Sequence, residues 1–253
     1  MSSTIGANTE TLKMNSENNQ QRVLSPLEAM GHQGIAVEAI PTFDSMASQR
    51  KWLLEHLAGA FRVFGREGYA EGIAGHISVR DPEFPDRFWI NPLAVHFSMM
   101  RVSDLICLDM QGNVVAGNTA WAAFGRPLDM LSQDVCYFYK AHSVYDNFGG
   151  IAFAADEGTN IAHALGDNKA AILVNHGLIT VGQTVDEAAY LYTLLEKSCR
   201  IQLMVESTGL PKRIVPEEEA SNTFRMASTP DTLFVEFQPS YKLEEHLDPS
   251  FKN

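Results

Sequence analysis

No apolar run in this 253-residue sequence approaches the roughly 20 residues that a membrane-spanning helix needs. The first residues also lack a positively charged stretch leading into an apolar core, so no secretory leader is expected. Positive charge is scarce. There are 19 Lys and Arg against 31 Asp and Glu, a net charge of -12, and no basic stripe interrupts that balance. Nucleic acids and anionic membrane surfaces attract clustered Lys and Arg, so neither is an expected partner. Cysteine is limited to Cys107, Cys136 and Cys199, widely spaced and without a CxxC pair. That usage fits reduced thiols packed as small hydrophobes in a soluble cytoplasmic protein. No internal repeat occurs.

What is present suffices for one good core and is too short for two large domains. Residues 1–40 contain the polar run MNSENNQQ, which cannot bury enough surface to offset its ordering entropy. They are expected to form a disordered tail, with an apolar patch, Ile35-Ala36-Val37, docking on the domain and Pro41 marking its entry. From Ser45 onward, Trp52, Leu53, Leu57, Ala60, Phe61 and Phe64 recur at three- and four-residue intervals, which predicts a helix stopped by Gly65 and Gly68. The glycine-rich stretch EGIAGHISVRDP reads as a turn feeding a short strand. Strands are expected at 88–90 and 105–108, with a turn at Gln111-Gly112-Asn113 into Val114-Val115.

Farther along, the pattern predicts a helix over 156–165, a buried strand over 170–174 and a second strand over 179–181. Between those strands lies the turn Asn175-His176-Gly177-Leu178. A histidine at a strand end can face a cleft, and Gly177 lets the backbone bend close behind the ring, which suits a metal ligand or proton carrier. One imidazole alone cannot hold a metal that wants three or four ligands. Thr184 through Glu187 form a capping box that opens a long helix, ended by Gly209 and Pro211. Tyr192, Leu195, Cys199 and Leu203 occupy its buried side, and Glu187, Glu196 and Glu206 are expected on its solvated face. Mixed strands and helices in this order indicate a single α/β layer domain.

Five segments, in order, resemble the class II aldolase/adducin domain. They are Gly75-His76-Ile77-Ser78; Ser103-Asp104-Leu105 leading to Asp109 and Gly112; Gly125-Arg126-Pro127-Leu128; Asn168-Lys169-Ala170 through Asn175-His176-Gly177; and Asp186-Glu187-Ala188-Ala189. The resemblance covers about residues 45–210. It implies a three-layer α/β/α sandwich over 41–220, a C-terminal extension over 221–253 packing on it, and assembly as a homo-oligomer. It also implies a divalent metal, typically Zn2+, held by three histidines and used to polarise a small hydroxycarbonyl substrate as an enediolate forms or collapses.

Two of those histidines come from an H-x-H pair, whose alternation along a strand puts both rings on one face. The third is the histidine of the N-H-G turn, here His176. The eight histidines, His32, His56, His76, His96, His142, His163, His176 and His246, include no H-x-H pair. Where the family carries that pair, this chain reads Gly117-Asn118-Thr119-Ala120-Trp121-Ala122-Ala123-Phe124. The difference amounts to roughly thirty residues, about one helix and one strand. The sandwich is therefore expected to lack those two elements and to be less stable than its relatives, with Zn2+ held weakly or not at all.

No acid stands in 118–121, where the resemblance implies the catalytic glutamate, so no catalytic residue is assigned. Gly75, His76 and Ser78 are the candidate substrate-binding residues, His76 replacing the asparagine of a G-N-x-S loop. The second anion loop falls on Asn91-Pro92-Leu93-Ala94, which lacks the expected Thr, Ser and Gly. A less charged hydroxycarbonyl or carboxylate compound therefore fits better than a sugar phosphate. His142 is expected to orient a loop. The implied activity is metal-dependent cleavage or formation of a carbon–carbon bond, impaired in this chain. The alternative is a non-catalytic, adducin-like oligomerising scaffold. The chain itself reads as an internally shortened form of a complete family member.

Overall fold

The computed structural model describes residues 38–70, 72, 75–109, 126–146 and 155–253. The expected tail up to residue 37, the Val114-Val115 strand and the segment 117–124 lie outside the described residues. Helix α1, Met46–Glu67, starts where the Ser45 hydroxyl accepts the Ser48 N–H at 3.1 Å, and stops at Gly68, whose φ of 83° suits glycine. Gly65 does not end this helix. It marks a close approach instead, since a Cβ there would sit 2.6 Å from the Ser98 backbone nitrogen. The buried face of α1 carries Leu54, Leu57, Ala58, Phe61 and Phe64.

Strands β1 (Ser78–Arg80), β2 (Arg87–Ile90) and β3 (Ile106–Asp109) form an antiparallel sheet in the order β1-β2-β3, with Val79 opposite Trp89 and Trp89 opposite Cys107. Asp81 organises the connection between β1 and β2. Its carboxylate accepts from Arg50 Nε at 2.7 Å, Trp89 Nε1 at 2.8 Å, and the backbone N–H groups of Glu83 and Phe84 at 2.9 and 3.0 Å. The Arg50 guanidinium, followed by the indole and amide donors, holds this carboxyl well below the usual carboxylate range.

A second sheet contains β4 (His142–Tyr145), β5 (Ala170–Leu173) and β6 (Gly177–Thr180). β4 runs parallel to β5 and is joined to it through α2, Ala155–Leu165, while β5 and β6 pair antiparallel across the His176 turn. All four residues of β5 are buried, and alternation splits them between two layers. Ala171 and Leu173 pack with Tyr145 and Ile161 of α2, whereas Ala170 and Ile172 pack with Leu191, Leu195 and Leu233. These last residues belong to α3 (Val185–Ser207) and α5 (Pro230–Leu247), so the sheet is covered on both faces in an α/β/α arrangement. Helix α4, Glu217–Ala227, packs against the short turn of helix at Asp134–Phe138.

Helices α1, α3 and α5 meet in a seam built around His56. Its ring lies 4.0 Å from Trp52 and 4.2 Å from Tyr241, nearly parallel to the latter, and its Nδ1 is 2.7 Å from Asp186 Oδ1. Gln238 Nε2 donates to the same Asp186 oxygen at 2.9 Å. The expectation of a solvated acidic face on α3 is corrected here: Glu187 is 1% exposed and Glu196 is 7% exposed. The reason is that α3 packs against β6 as well as against α1 and α5, which leaves it little outer surface. Glu187 is compensated locally, accepting from Lys169 Nζ at 2.6 Å and from Gln183 N–H at 2.7 Å. Glu206, farther along, is exposed and pairs with Arg126 and Lys212.

Replacing Asp81 by Ala is expected to lower the unfolding free energy by about 2–3 kcal/mol, because it strands several donors around one charged acceptor. Urea denaturation would check this, and a change below about 0.5 kcal/mol, the range of ordinary surface substitutions, would contradict it.

Candidate functional site

His176 sits where the sequence placed it, in the tight turn between β5 and β6. Its backbone N–H closes the turn on Leu173 O at 2.9 Å, and Asn175 before it adopts a φ of 58°, a left-handed conformation that asparagine tolerates better than most residues. The side chain is half-buried. Because β5 is buried along its whole length, the turn is held on a rigid base.

The other histidines have different occupations. His56 is locked in the helical seam. His96 Nδ1 accepts the Ser98 N–H at 3.1 Å in an exposed loop. His142 has both ring nitrogens engaged: Nδ1 donates to Phe138 O at 2.8 Å, and Nε2 accepts from Leu128 N–H at 2.9 Å, which fixes the tautomer. Among the described residues, no three His, Cys, Asp or Glu side chains come together in a group able to hold a metal ion. A zinc centre needs three or four such donors, so the donor set around His176 does not fit one.

The candidate substrate-binding residues occupy the other sheet. Gly75 has a φ of 92°, and a Cβ there would lie 3.0 Å from the Phe97 ring. Its carbonyl accepts from Asn91 Nδ2 at 3.4 Å. His76 is half-buried in the turn, and Ser78 is exposed at the start of β1, opposite Ile90. The two loops that sequence reading treated separately, Gly75–Ser78 and the 91–94 stretch, therefore meet through the Asn91 side chain. Beside Asn91 lies a small pocket lined by Ala70, Gly72, Asn91, Ala94, Val95, His96 and Phe97. His176 is not among the residues lining it. Asn91 carried no sequence signal, since it stands where Thr, Ser or Gly was expected.

His142 anchors the stretch at 126–131 that leads back into the second sheet. Beside its bond to Leu128, Asp129 N–H donates to the buried Gln202 Oε1 at 2.7 Å, and Val215 N–H donates to Met130 O at 2.8 Å. Burial pushes the His142 imidazole below its usual value of 6.5, partly offset by the hydrogen bond to Phe138 O.

A sandwich of this kind, with an N-H-G turn joining β5 to β6, defines a class of protein, and comparison with known families agrees. The chain belongs to the family described as the Class II Aldolase and Adducin N-terminal domain, which matches residues 55–120 and 116–203. It is 39% identical to the Meiotically up-regulated gene 14 protein of Schizosaccharomyces pombe, over 82% of this chain and 95% of that protein. It is 37% identical to Decarboxylase NovR of Streptomyces niveus, over 83% and 90%. Among solved structures, L-fuculose 1-phosphate aldolase from Glaciozyma antarctica superposes with a TM-score of 0.75 at 31% identity, covering 85% of this chain and 97% of that one.

The alignments also carry a gap. The first spans 244 residues yet uses 82% of the 253 here, about 207, so some 37 aligned positions have no counterpart in this chain. The second spans 243 and uses 83%, about 210, leaving some 33. The family match divides in two at 116–120, the place where the missing helix and strand were expected.

Since the folded protein disfavours protonated His142, the unfolded chain takes up the proton more readily once the pH falls below 6.5. The stability due to this group is complete above that pH and is lost as the pH falls through the depressed folded-state value. Urea midpoints measured from pH 7 to pH 5 are expected to fall less steeply in His142→Gln than in the native chain, and equal slopes would contradict this.

Proposed function

We propose that this chain carries the framework of a class II aldolase-type lyase, acting on a carbon–carbon bond beside a carbonyl in a small hydroxycarbonyl substrate, in a form whose metal site is incomplete. The observation that carries this reading is the His176 turn, kept at the end of a fully buried strand while the sequence holds no H-x-H pair to accompany it. Relatives named as a decarboxylase and an aldolase both describe carbon–carbon bond chemistry, which supports the reaction class. The division of the family match at 116–120 supports reading the chain as an internally shortened form of a longer homologue. With one imidazole where three are needed, no reaction step is assigned to a metal. Assembly as a homo-oligomer and a cytoplasmic location belong to the same proposal. Among the described residues no helix is long and apolar enough to cross a membrane.

A second reading, a scaffold without catalysis, is favoured by one observation. The His56–Asp186–Gln238 seam that joins α1, α3 and α5 does not involve His176, so the framework holds independently of the metal site.

Metal analysis of the purified chain at pH 7 is expected to find less than about 0.1 zinc per chain, as one imidazole cannot retain the ion. Grafting the corresponding segment of the Schizosaccharomyces pombe relative between Gly117 and Gly125 is expected to raise this to about one, and His176→Ala in the graft to abolish it. One tightly held zinc in the native chain would overturn the incomplete-site reading. A graft that holds zinc but cleaves no hydroxycarbonyl compound would favour the scaffold.

A further inference from the structure

Ser103-Asp104-Leu105 carries part of the family resemblance, yet no bond of the candidate site uses it. The turn at 100–104 leads into β3, and Asp104 closes it by accepting the Arg101 N–H at 2.9 Å. Two contacts tie this turn to groups far along the chain. Ser103 N–H donates to the backbone oxygen of Asn253 at 2.9 Å. Arg62, on α1, donates from Nε to Met100 O at 2.7 Å and from Nη1 to Asp248 Oδ2 at 3.1 Å. One guanidinium thus grips both the turn before β3 and the start of the segment 248–253.

That segment is itself held at several points. Asp248 Oδ1 accepts the Ser250 N–H at 3.0 Å and opens the short helical turn Pro249–Lys252. Phe251 is 0% exposed. Its ring meets Tyr241 edge-on with 5.7 Å between centroids, and it lies against Gly59 of α1, where a Cβ would come within 3.4 Å of it. Lys252 Nζ donates to Glu245 at 2.7 Å. A fully buried phenylalanine contributes far more than a partly exposed ion pair, so the ring is the anchor and the polar contacts orient it.

The apolar partners of this anchor are unevenly distributed. Phe251 belongs to the cluster that joins α1 to Phe97, Met100 and Leu105, with Val79 and Trp89 of the first sheet packed against it. The second sheet is built into two other clusters, one around Ile172, Leu195 and Leu233 and one around Tyr145, Ile161 and Leu173, and Phe251 is in neither. We propose that residues 248–253 act as a clasp that holds the turn before β3, and with it the first sheet, against α1 and α5. Releasing the clasp loosens that sheet while the second sheet stays closed. Local opening of this kind requires less free energy than global unfolding, because only one set of contacts is given up. The proposal does not depend on the lyase reading, since it concerns the freedom of the sheet that begins at Ser78, whatever that sheet binds.

The test follows backbone hydrogen exchange by mass spectrometry at pH 7, comparing the full chain with one ending at Asp248. Amides of β1–β3 are expected to exchange at least about tenfold faster in the shortened chain, while those of β5 and β6 change by less than about twofold. Phe251→Leu keeps an apolar side chain in the same place and is expected to show the same contrast at about threefold. This milder variant decides the matter if the shortened chain does not fold. Equal acceleration in both sheets would overturn the proposal, because the segment would then support the whole core. Unchanged exchange in the first sheet would overturn it too, because the segment would then be a passenger.

Discussion

The arrangement of the helices depends on one buried carboxylate. Asp186 is 0% exposed, in the first turn of α3, where the helix N-terminus favours negative charge. Burying such a group is expensive unless it is hydrogen-bonded, and here both Oδ1 partners come from other helices, His56 from α1 and Gln238 from α5. Both bonds go to Oδ1, while Oδ2 is buried without a partner among the described residues, so an oxygen held from two directions leaves little freedom in how the helices are spaced. The aromatic rings above and below His56 then fill what space remains. Through β5, the α3–α5 side of this seam is also the floor beneath the His176 turn.

Much of this fold was legible in the sequence because its signals are local. Ser45 and Gly68 bracket α1, the β-prone run Phe88-Trp89-Ile90 marks β2, and Thr184 opens α3 by accepting the Glu187 N–H. What escaped were the consequences of distant partners. Glu187 looks like a surface acid until Lys169, eighteen residues earlier, is seen to reach it. β4 shows no clean alternation because its three partly buried residues lie beside helices on both faces of the sheet. The candidate site divides in the same way. The His176 turn follows from the residues 170–177 alone, whereas the link that Asn91 makes depends on the Gly75 carbonyl, which only the folded loops bring to it.

The family match divides in chain order between β3 and β4, the last strand of one sheet and the first of the other. Among the described residues, β3 pairs with β2 only and β4 with β5 only. The two halves of the domain are therefore joined by their helices. α1 packs on the first sheet through Val79 and Trp89 and on the turn at Phe97, while also meeting α3 and α5, which cover the second. That explains how a chain without counterparts to some 33–37 positions of its relatives can keep recognisable family architecture on either side of the break.

The same helical seam has a consequence for the order in which the protein is made. Arg62 reaches Asp248 across 186 residues and His56 reaches Asp186 across 130, so α1 is synthesised long before the groups that cover it exist. Pairings at such distance delay folding, because the loop entropy is spent before the contacts repay it. Until α5 leaves the ribosome, the part of the α1 cluster that Phe237 and Tyr241 complete stays uncovered. Transiently exposed apolar surface of this kind favours aggregation, so the interval before the last helix is made is the one in which the chain is most exposed to it.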